Sequence, residues 1–442
     1  MIKYILNQKG NYMLYKHQIK ALAETAGQNK VAYYHDMGLG KTFTGAEKMI
    51  RLGAQINLVV CQKSKVQDWI DHFRINYDWI DDVLDLTNKK QFELFTGLLK
   101  TKLFPPKYVC VGVINYDLIW RRKELLQLKN FTLMLDESSL IQHKTSKRTK
   151  FIMKMSPNNV ILLSGTPVGG KYENLLTQIH LLGWNISEEV FWNQYVNWEW
   201  EEVDGFFQKK ILGYKNVDRL KRKLREHGCN FLKTEEVLDL PEQNDIKIRV
   251  NPIKEYTQFH KNSYVCIDEN ELLGDTALTK MLRERQLCSW YNKEKLQALQ
   301  DLLESTEDRI IIFYNFEYEK DALTVIADNL QKPISLVNGQ TKDLEAYENN
   351  LNSVTLIQYQ AGAMGLNLQK ANKIIYFTPP ISSELFEQSK KRIHRIGQNR
   401  PCFYYYLICR RSIEEGIYKT LAVRKDYTEE LFNEYQSSND IK

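Results

Sequence analysis

The sequence predicts an α/β protein with two parallel-sheet lobes and a helical insertion between them. Its 442 residues are about three times the length of a typical domain, so two or three packed units are expected. Short runs of β-branched and aromatic residues alternate with helical stretches, which is typical of doubly wound α/β units. These runs form two clusters, separated by about 140 residues (167–309) that contain few of them.

Nine runs have the composition of strands that are buried on both faces. They are apolar throughout and lack the alternation of half-exposed strands, as expected inside a parallel sheet. The first cluster comprises 31–34, 56–61, 108–114, 131–135 and 160–164. The second comprises 309–313, 354–358, 373–377 and 403–408.

The stretch between the clusters is predicted to be mostly helical. It is rich in charged and aromatic residues, and 215–227 and 293–306 have helical periodicity. We therefore place the first lobe at 1–183, the helical insertion at 184–292 and the second lobe at 293–442.

The composition excludes several classes of protein. Apolar residues make up 43% and charged residues 26%, which is a globular profile rather than a disordered one. No apolar run approaches the 18 to 20 residues of a membrane-spanning helix, and the amino terminus lacks a secretory signal. We expect a cytoplasmic protein with no membrane partner. Seven scattered cysteines without a C-x-x-C pair argue against a disulfide framework or a zinc site.

The net charge of +6 is too small to indicate a nucleic-acid partner by itself. Two local runs are more basic. Residues 209–233 contain nine basic and two acidic residues, and 142–154 contain five basic and no acidic ones. An isolated run of this kind is more often a solvated helix face, so these runs gain weight only beside chemistry that requires a polyanion.

A phosphate-binding loop is predicted at 35–42, HDMGLGKT, between a strand and a helix. Gly38 and Gly40 let backbone N–H groups turn inward around a phosphate. Lys41 supplies a charge for the β and γ phosphates, and the Thr42 hydroxyl is a ligand for Mg²⁺. His35 stands where the usual pattern has its first glycine, so the strict motif is not met.

Two carboxylates follow the strand at 131–135. Asp136 and Glu137 lie where open α/β sheets bind their ligands, at the carboxyl end of a strand. We expect Asp136 to hold Mg²⁺ and Glu137 to orient and deprotonate an attacking water. Near the end of the chain, Arg392 and Arg395 are three apart and would share one face if this segment is a helix, and such arginines can neutralise a transferring phosphate. A solvated helix face is the alternative.

An ordered set of motifs then resembles the superfamily 2 motor proteins of the Snf2 type, over nearly the whole chain. The motifs are LYKHQ (14–18), DMGLGKT (36–42), VVCQKSKVQDW (59–69), INYDL (114–118), DESS (136–139), LLSGTP (162–167), IIFYNF (311–316), QAGAMGLNL (360–368) and QSKKRIHRIGQ (388–398). The wording around LLSGTP and DESS looks most like the fork-remodelling, strand-annealing branch. Both lobes are then expected to be RecA-like.

The resemblance implies a role for each matching position. Gln18 would recognise adenine, and the loop with Gly365 of the fifth motif would complete the ATP site. Gln388, Arg392 and Arg395 would reach the γ-phosphate from the second lobe. The segments that line the DNA track in the family contain Lys63, Ser64, Asn115, Tyr116, Thr166, Asn315 and Gln360.

The chain departs from the family pattern at three further places. Ser139 stands where a histidine is usual, Ala363 replaces a common glycine, and Thr378-Pro-Pro replaces a Trp-Asn-Pro segment. There is also no room for chromatin-reading or zinc-finger modules, so the chain is expected to be close to a bare motor.

Three functions are open at this point. The first is a DNA-stimulated ATPase, using ATP and Mg²⁺, that translocates on duplex or forked DNA and remodels it or displaces proteins. The second is a strand-separating helicase, and the third a catalytically silent DNA- or protein-binding scaffold. The compact length suggests a monomeric motor from a bacterium or phage, with possible protein partners in replication or repair.

Overall fold

The computed structural model describes residues 5–6, 13–101, 105, 107–203, 206–362 and 366–432. Contacts within the chain divide it into two compact units. The first comprises Met1–Val237 with Tyr427–Lys442, and the second comprises Leu238–Asp426. None of the helices in the described part of the chain combines the length and the apolar character that a membrane crossing requires.

The first unit contains a seven-stranded sheet in which every neighbouring pair is parallel. In spatial order its strands are Cys229–Leu232, Lys30–His35, Asn159–Ser164, Phe131–Asp136, Ile56–Cys61, Cys110–Asn115 and Asp82–Asp85. Apolar side chains fill both faces. Along one strand, Leu133 and Leu135 belong to one core layer and Met134 to the other. The sheet is therefore buried on both sides, as the uniformly apolar runs predict.

Helices flank this sheet, and two antiparallel hairpins accompany it. The α-helices are Lys16–Glu24, Lys41–Leu52, Val66–Asn76, Lys89–Thr101, Tyr116–Ile119, Lys147–Ile152, Leu176–Leu181, Glu188–Tyr195 and Val217–Glu226. Short 3₁₀ turns lie at Lys63–Lys65, Lys123–Gln127, Ser138–Ile141, Tyr172–Leu175 and Thr234–Glu236. The hairpins pair Ile5–Leu6 with Met13–Leu14 and Val196–Val203 with Phe206–Tyr214.

The second unit contains another seven-stranded sheet, parallel except at one edge. In spatial order its strands are Gln243–Val250, Cys402–Cys409, Lys373–Tyr376, Ile310–Tyr314, Val354–Gln358, Ile334–Val337 and the antiparallel Lys342–Asp343. Its helices are Lys254–Asn262, Ala277–Leu287, Lys293–Glu304, Glu317–Asn329, Glu345–Asn349, Tyr359–Gly362, Ser383–Lys390 and Ile413–Phe432. A hairpin pairs Tyr264–Ile267 with Asn270–Leu273.

All nine predicted strands are present, and the expectation of two α/β lobes with parallel sheets is confirmed. The middle stretch contains helices, including Val217–Glu226 and Lys293–Glu304 where the periodicity predicts them, but it also contains strands that the sequence does not predict. Cys229–Leu232 extends the first sheet, Gln243–Val250 extends the second, and a long hairpin lies at 196–214. Gln243–Val250 and the hairpin carry charged residues, as is common at sheet edges, and Cys229–Leu232 has only four residues, so none of them has the long apolar run of the central strands. The boundaries at 183 and 292 stay a prediction; the contacts divide the chain after Val237.

Candidate nucleotide site

The predicted phosphate loop connects the strand Lys30–His35 to the helix Lys41–Leu52. Gly38 and Gly40 both have left-handed backbones, with φ of 85° and 71°. A Cβ atom on Gly40 would lie 2.5 Å from the Gln18 side-chain nitrogen. The left-handed backbone favours glycine at position 40, and any larger residue there would also displace the Gln18 side chain from the loop. The loop delivers the chain to a helix N-terminus, where unpaired N–H groups favour an anion.

Lys41 begins that helix and reaches back across the loop. Its Nζ atom donates to the backbone carbonyl oxygens of His35 at 2.8 Å and Asp36 at 3.1 Å. Thr42 lies in the first helical turn, half-buried. The ammonium group is thus fixed where the loop turns, which is the position that the motif requires for a charge on phosphates.

Gln18 lies against the loop itself. Its side chain is buried, donates to the Gly40 carbonyl oxygen at 2.9 Å and accepts from the Tyr15 backbone N–H at 2.8 Å. His17, beside it, contacts the Leu39 carbonyl oxygen at 2.9 Å. Gln18 therefore ties the helix Lys16–Glu24 to the phosphate loop, and its predicted contact with adenine stays a prediction.

The two carboxylates lie at the carboxyl end of the strand Phe131–Asp136. Asp136 accepts a hydrogen bond from the Trp69 indole N–H at 2.8 Å. Glu137 has a left-handed backbone, with φ of 57°, which is uncommon for a residue with a side chain. Its carboxylate accepts from the Ser164 hydroxyl at 3.0 Å and from the Ser139 hydroxyl at 3.3 Å. A strained backbone held by side-chain contacts is a common property of functional sites.

Burial and charge act in opposite directions on these carboxylates. Burial raises the pKa of Asp136, while the Trp69 hydrogen bond and the Lys41 ammonium lower it. Burial also raises the pKa of Glu137, and Lys41 opposes this effect while Asp136 adds to it. A carboxylate with a raised pKa accepts a proton more readily, as a general base must. Lys41, Asp136 and Glu137 therefore form one electrostatic group in the first unit.

The residues that support Glu137 were not singled out by sequence reasoning. Ser164 lies in the quoted LLSGTP motif and also accepts the Thr166 backbone N–H at 3.1 Å. Gln178 accepts from the hydroxyls of Ser138 at 2.8 Å and Tyr34 at 3.0 Å. The hydrogen bond from Ser164 to Glu137 links the LLSGTP motif directly to the DESS segment. Ser139, which also donates to Glu137, lies in the position where the family usually has histidine. The motif wording was the available signal for Ser164, whereas no local signal identified Gln178.

The predicted DNA-facing residues of the first unit differ in exposure. Lys63 and Ser64 are exposed in the turn Lys63–Lys65. Asn115, Tyr116 and Thr166 are buried. The Tyr116 hydroxyl donates to the Asp136 backbone carbonyl oxygen at 3.0 Å, so this side chain holds the backbone of the carboxylate segment. Contact with DNA stays a prediction for all five residues.

In the second unit, the predicted γ-phosphate residues lie on and just after the helix Ser383–Lys390. Gln388 is buried and donates to Glu384 at 3.3 Å. Arg392 is buried, and its backbone carbonyl oxygen accepts from Leu368 N–H at 3.2 Å. Arg395 is half-buried and donates to the Leu366 carbonyl oxygen at 3.4 Å. Their role on phosphate stays a prediction.

The roles of the remaining second-unit residues stay predictions. The Asn315 side chain donates to the Thr378 hydroxyl at 2.8 Å and to the Pro379 carbonyl oxygen at 3.1 Å, so it holds the Thr-Pro-Pro segment. Gln360 is exposed. Gly365 lies outside the described residues.

Comparison with known proteins identifies the family. The SNF2-related domain matches residues 22–301, and the helicase conserved C-terminal domain matches residues 294–397. The chain belongs to the SNF2-related family. The two domain matches together confirm the Snf2 resemblance in the sequence.

Individual SNF2-related relatives are distant and longer. The chain is 23% identical to the SWI/SNF-related matrix-associated actin-dependent regulator of chromatin subfamily A member 1 of Mus musculus, covering 88% of this chain and 40% of the relative. It is also 23% identical to the DNA repair and recombination protein RAD54-like of Drosophila grimshawi, covering 91% and 60%. The chain thus spans about two to three fifths of the length of these curated relatives. Among solved structures, the Sulfolobus solfataricus SWI2/SNF2 ATPase core in complex with dsDNA aligns with a TM-score of 0.44 and 18% identity, over 97% of this chain and 94% of that chain.

Proposed function

We propose that this protein is a DNA-stimulated ATPase that translocates on double-stranded or branched DNA and thereby remodels it or displaces bound proteins. One observation carries the proposal. Lys41 and the Asp136-Glu137 pair form one half-buried electrostatic group at a phosphate loop, in a chain that has both domains of the SNF2-related motor.

The nucleotide would bind at the loop of the first unit. The Lys41 ammonium would donate to phosphate oxygens while the His35 and Asp36 carbonyl oxygens hold it beside the loop, and the left-handed glycines keep the loop backbone open to the anion. Thr42 and Asp136 would hold Mg²⁺, which prefers oxygen ligands. No group of three or more His, Cys, Asp or Glu side chains in the described part of the chain is arranged to hold a metal. This fits an ion that is bound largely through substrate phosphates and water.

Glu137 would accept the proton of the water that attacks the γ-phosphate. The Ser164 and Ser139 hydroxyls fix the direction of its carboxylate, and burial raises its pKa, so the group is oriented and basic. Gln388, Arg392 and Arg395 of the second unit would neutralise charge on the phosphate during transfer.

Basic surface supports the nucleic-acid part of the proposal. In the helix Val217–Glu226, Arg219 and Arg222 are exposed. Part of the positive charge of this helix is offset, because Lys223 pairs with Glu226 at 2.7 Å. Lys63 and Ser64 are also exposed, in the turn that follows the strand Ile56–Cys61 of the first unit's sheet. Contacts of this kind recognise backbone phosphates and are independent of base sequence. The RAD54-like relative is named as a DNA repair and recombination protein.

The test is the ATPase rate with single-stranded, duplex, forked and RNA cofactors, at two salt concentrations. We expect duplex or forked DNA to stimulate hydrolysis and salt to weaken the stimulation. Lys41→Ala should abolish turnover on every cofactor. An unmodified protein whose hydrolysis is the same with and without every nucleic acid would refute the proposal.

The alternative functions need different assays. A duplex translocase displaces a triplex-forming strand without opening the duplex, whereas a helicase releases one strand of the duplex. A silent scaffold would bind DNA without releasing phosphate from ATP. The presence of Lys41, Asp136 and Glu137 in one group argues against the scaffold.

A further inference from the structure

The strand that leads into the phosphate loop has a neighbour from a distant part of the chain. Cys229–Leu232 pairs with it in parallel, with Cys229 opposite Ala32 and Leu232 opposite His35. Beyond the paired region, the Asp36 backbone N–H donates to the Leu232 carbonyl oxygen at 2.9 Å. This edge strand therefore follows the loop strand into the first two residues of the loop.

Asn230, on this edge strand, contacts His35, which replaces the first glycine of the phosphate-loop pattern. Its side-chain amide donates to the Glu24 carboxylate at 2.6 Å, which leaves its Oδ1 atom as the acceptor for His35. His35 Nε2 lies 2.6 Å from that oxygen, so the ring donates from Nε2. The imidazole is fully buried, and burial lowers its pKa to about 3, so it is neutral at pH 7. The departure from the motif thus has a specific partner in the added strand.

Thr234 makes the equivalent contact with Asp36. Its backbone N–H and its hydroxyl both donate to the same Asp36 carboxylate oxygen, at 3.1 Å and 3.0 Å. Thr234 is buried, so water does not readily replace these two bonds. One carboxylate beside the phosphate loop is therefore held by two donors from a residue 198 positions away.

The same two loop residues hold Lys41. Its ammonium donates to the backbone carbonyl oxygens of His35 and Asp36. The side chains of these residues are fixed from the other direction by Asn230 and Thr234. The contacts therefore run in a continuous series from the edge strand, through residues 35 and 36, to the lysine.

We propose that Asn230 and Thr234 are positioning residues of the nucleotide site, which set the affinity of the loop for the phosphates of ATP by fixing His35 and Asp36. The proposal rests on the proposed function to the extent that the loop binds ATP. Asn230 contacts His35 and Thr234 contacts Asp36, so each acts on Lys41 through a loop residue. Because a preorganised site spends less free energy on ordering when its ligand binds, loosening the loop weakens binding before it alters the chemical step.

The first experiment compares Thr234→Val with Thr234→Ser in the full-length protein. Valine removes the hydroxyl donor at nearly constant volume, while serine keeps it. We expect Thr234→Val to raise KM for ATP about tenfold, as for loss of a hydrogen bond to a charged group, with kcat within about twofold. Thr234→Ser should restore KM. Thr96→Val is the matched control, because it removes a hydroxyl that bonds only within the helix Lys89–Thr101, which follows the strand at the opposite sheet edge.

A double-mutant cycle separates positioning from general stability. Asp36→Asn and Thr234→Val should each raise KM, and together they should raise it by less than the product of the single effects, because both remove one interaction. Independent effects that multiply, or a Thr234→Val KM within twofold of the unmodified protein, would overturn the proposal. If Thr234→Val and Thr96→Val lower the melting temperature equally and neither changes KM, Thr234 is a purely structural residue. That result would also overturn the proposal.

The readout also distinguishes this inference from the proposed function. Binding of a fluorescent ATP analogue is measured without nucleic acid. If the unmodified protein binds the analogue but DNA does not stimulate hydrolysis, translocation fails while the role of Thr234 is still tested by affinity. If the unmodified protein binds no ATP, both proposals fail.

Discussion

Replacing Glu137 by Gln separates nucleotide binding from hydrolysis. The glutamine carbonyl can accept the same hydroxyl hydrogen bonds from Ser164 and Ser139, so the local geometry is retained. The side chain can no longer accept a proton from water. A general base contributes about 10² to 10⁴ in rate, which is about 3 to 5 kcal/mol of the barrier.

The same substitution should not destabilise the fold at neutral pH. Burial raises the pKa of Glu137 above its usual 4.5. Above pH 4.5 the unfolded chain carries a charged carboxylate at this position. The folded protein disfavours that charge, so the charge lowers the free energy of unfolding. This penalty is absent below 4.5, where both states are protonated, and grows as the pH rises. Glutamine does not carry the penalty. The melting temperature of Glu137→Gln should equal or exceed that of the unmodified protein at pH 7, and the difference should vanish toward pH 4.

Phosphate release and nucleotide affinity are measured side by side. We expect hydrolysis to fall at least a hundredfold while the Kd for ATP changes by less than about threefold. Glu93→Gln is the matched control, since Glu93 is exposed on the helix Lys89–Thr101, its carboxylate lies 3.9 Å from the Lys89 ammonium, and it is far in sequence from the strand end that carries Glu137. Hydrolysis by Glu137→Gln at the rate of that control would refute the assignment of Glu137 as the base.

Three further outcomes are expected. Ser164→Ala should lower kcat about tenfold with little change in KM, because it removes one hydrogen bond that orients Glu137; steady-state kinetics check this. Lys295→Met should reduce the free energy of unfolding by about 3 to 5 kcal/mol in urea titrations, because it leaves the Glu414 carboxylate, fully buried and 2.6 Å from Lys295 Nζ, without its cation. Burial lowers the pKa of His35 from an ordinary 6.5 to about 3 in the folded protein, so between these pH values only the unfolded state binds a proton there. The free energy of unfolding should therefore fall by about 1.4 kcal/mol for each pH unit below 6.5. His35→Gln should show a shallower loss in melting temperature from pH 6.5 to 4.5.

The central strands were predictable because their burial on both faces leaves a continuous apolar run. The edge strands were not. Gln243–Val250 alternates exposed and half-buried residues and carries charges, and Cys229–Leu232 lies within a basic stretch. Both take their conformation from a neighbouring strand more than 150 residues away in sequence, so local pattern does not identify them.

The candidate site divides in the same way. Lys41, Asp136 and Glu137 were predictable, because a motif or a strand end determines each position. Ser164 and Thr234 act on partners 27 and 198 residues away, and these contacts depend on the order of strands in the sheet. The burial of Tyr116 under the carboxylate segment was likewise hidden, since its motif alone does not show which way the side chain points.

Because Cys229–Leu232 covers the outer side of Lys30–His35, the sheet of the first unit is completed only by residues well beyond 183. A protein that ends at 183 would leave one edge of the strand Lys30–His35 without its hydrogen-bonding partner. Unpaired strand edges can pair with other chains and cause aggregation. Any separately produced amino-terminal half would therefore have to extend through Val237 to keep the strand before the predicted phosphate loop paired on both sides.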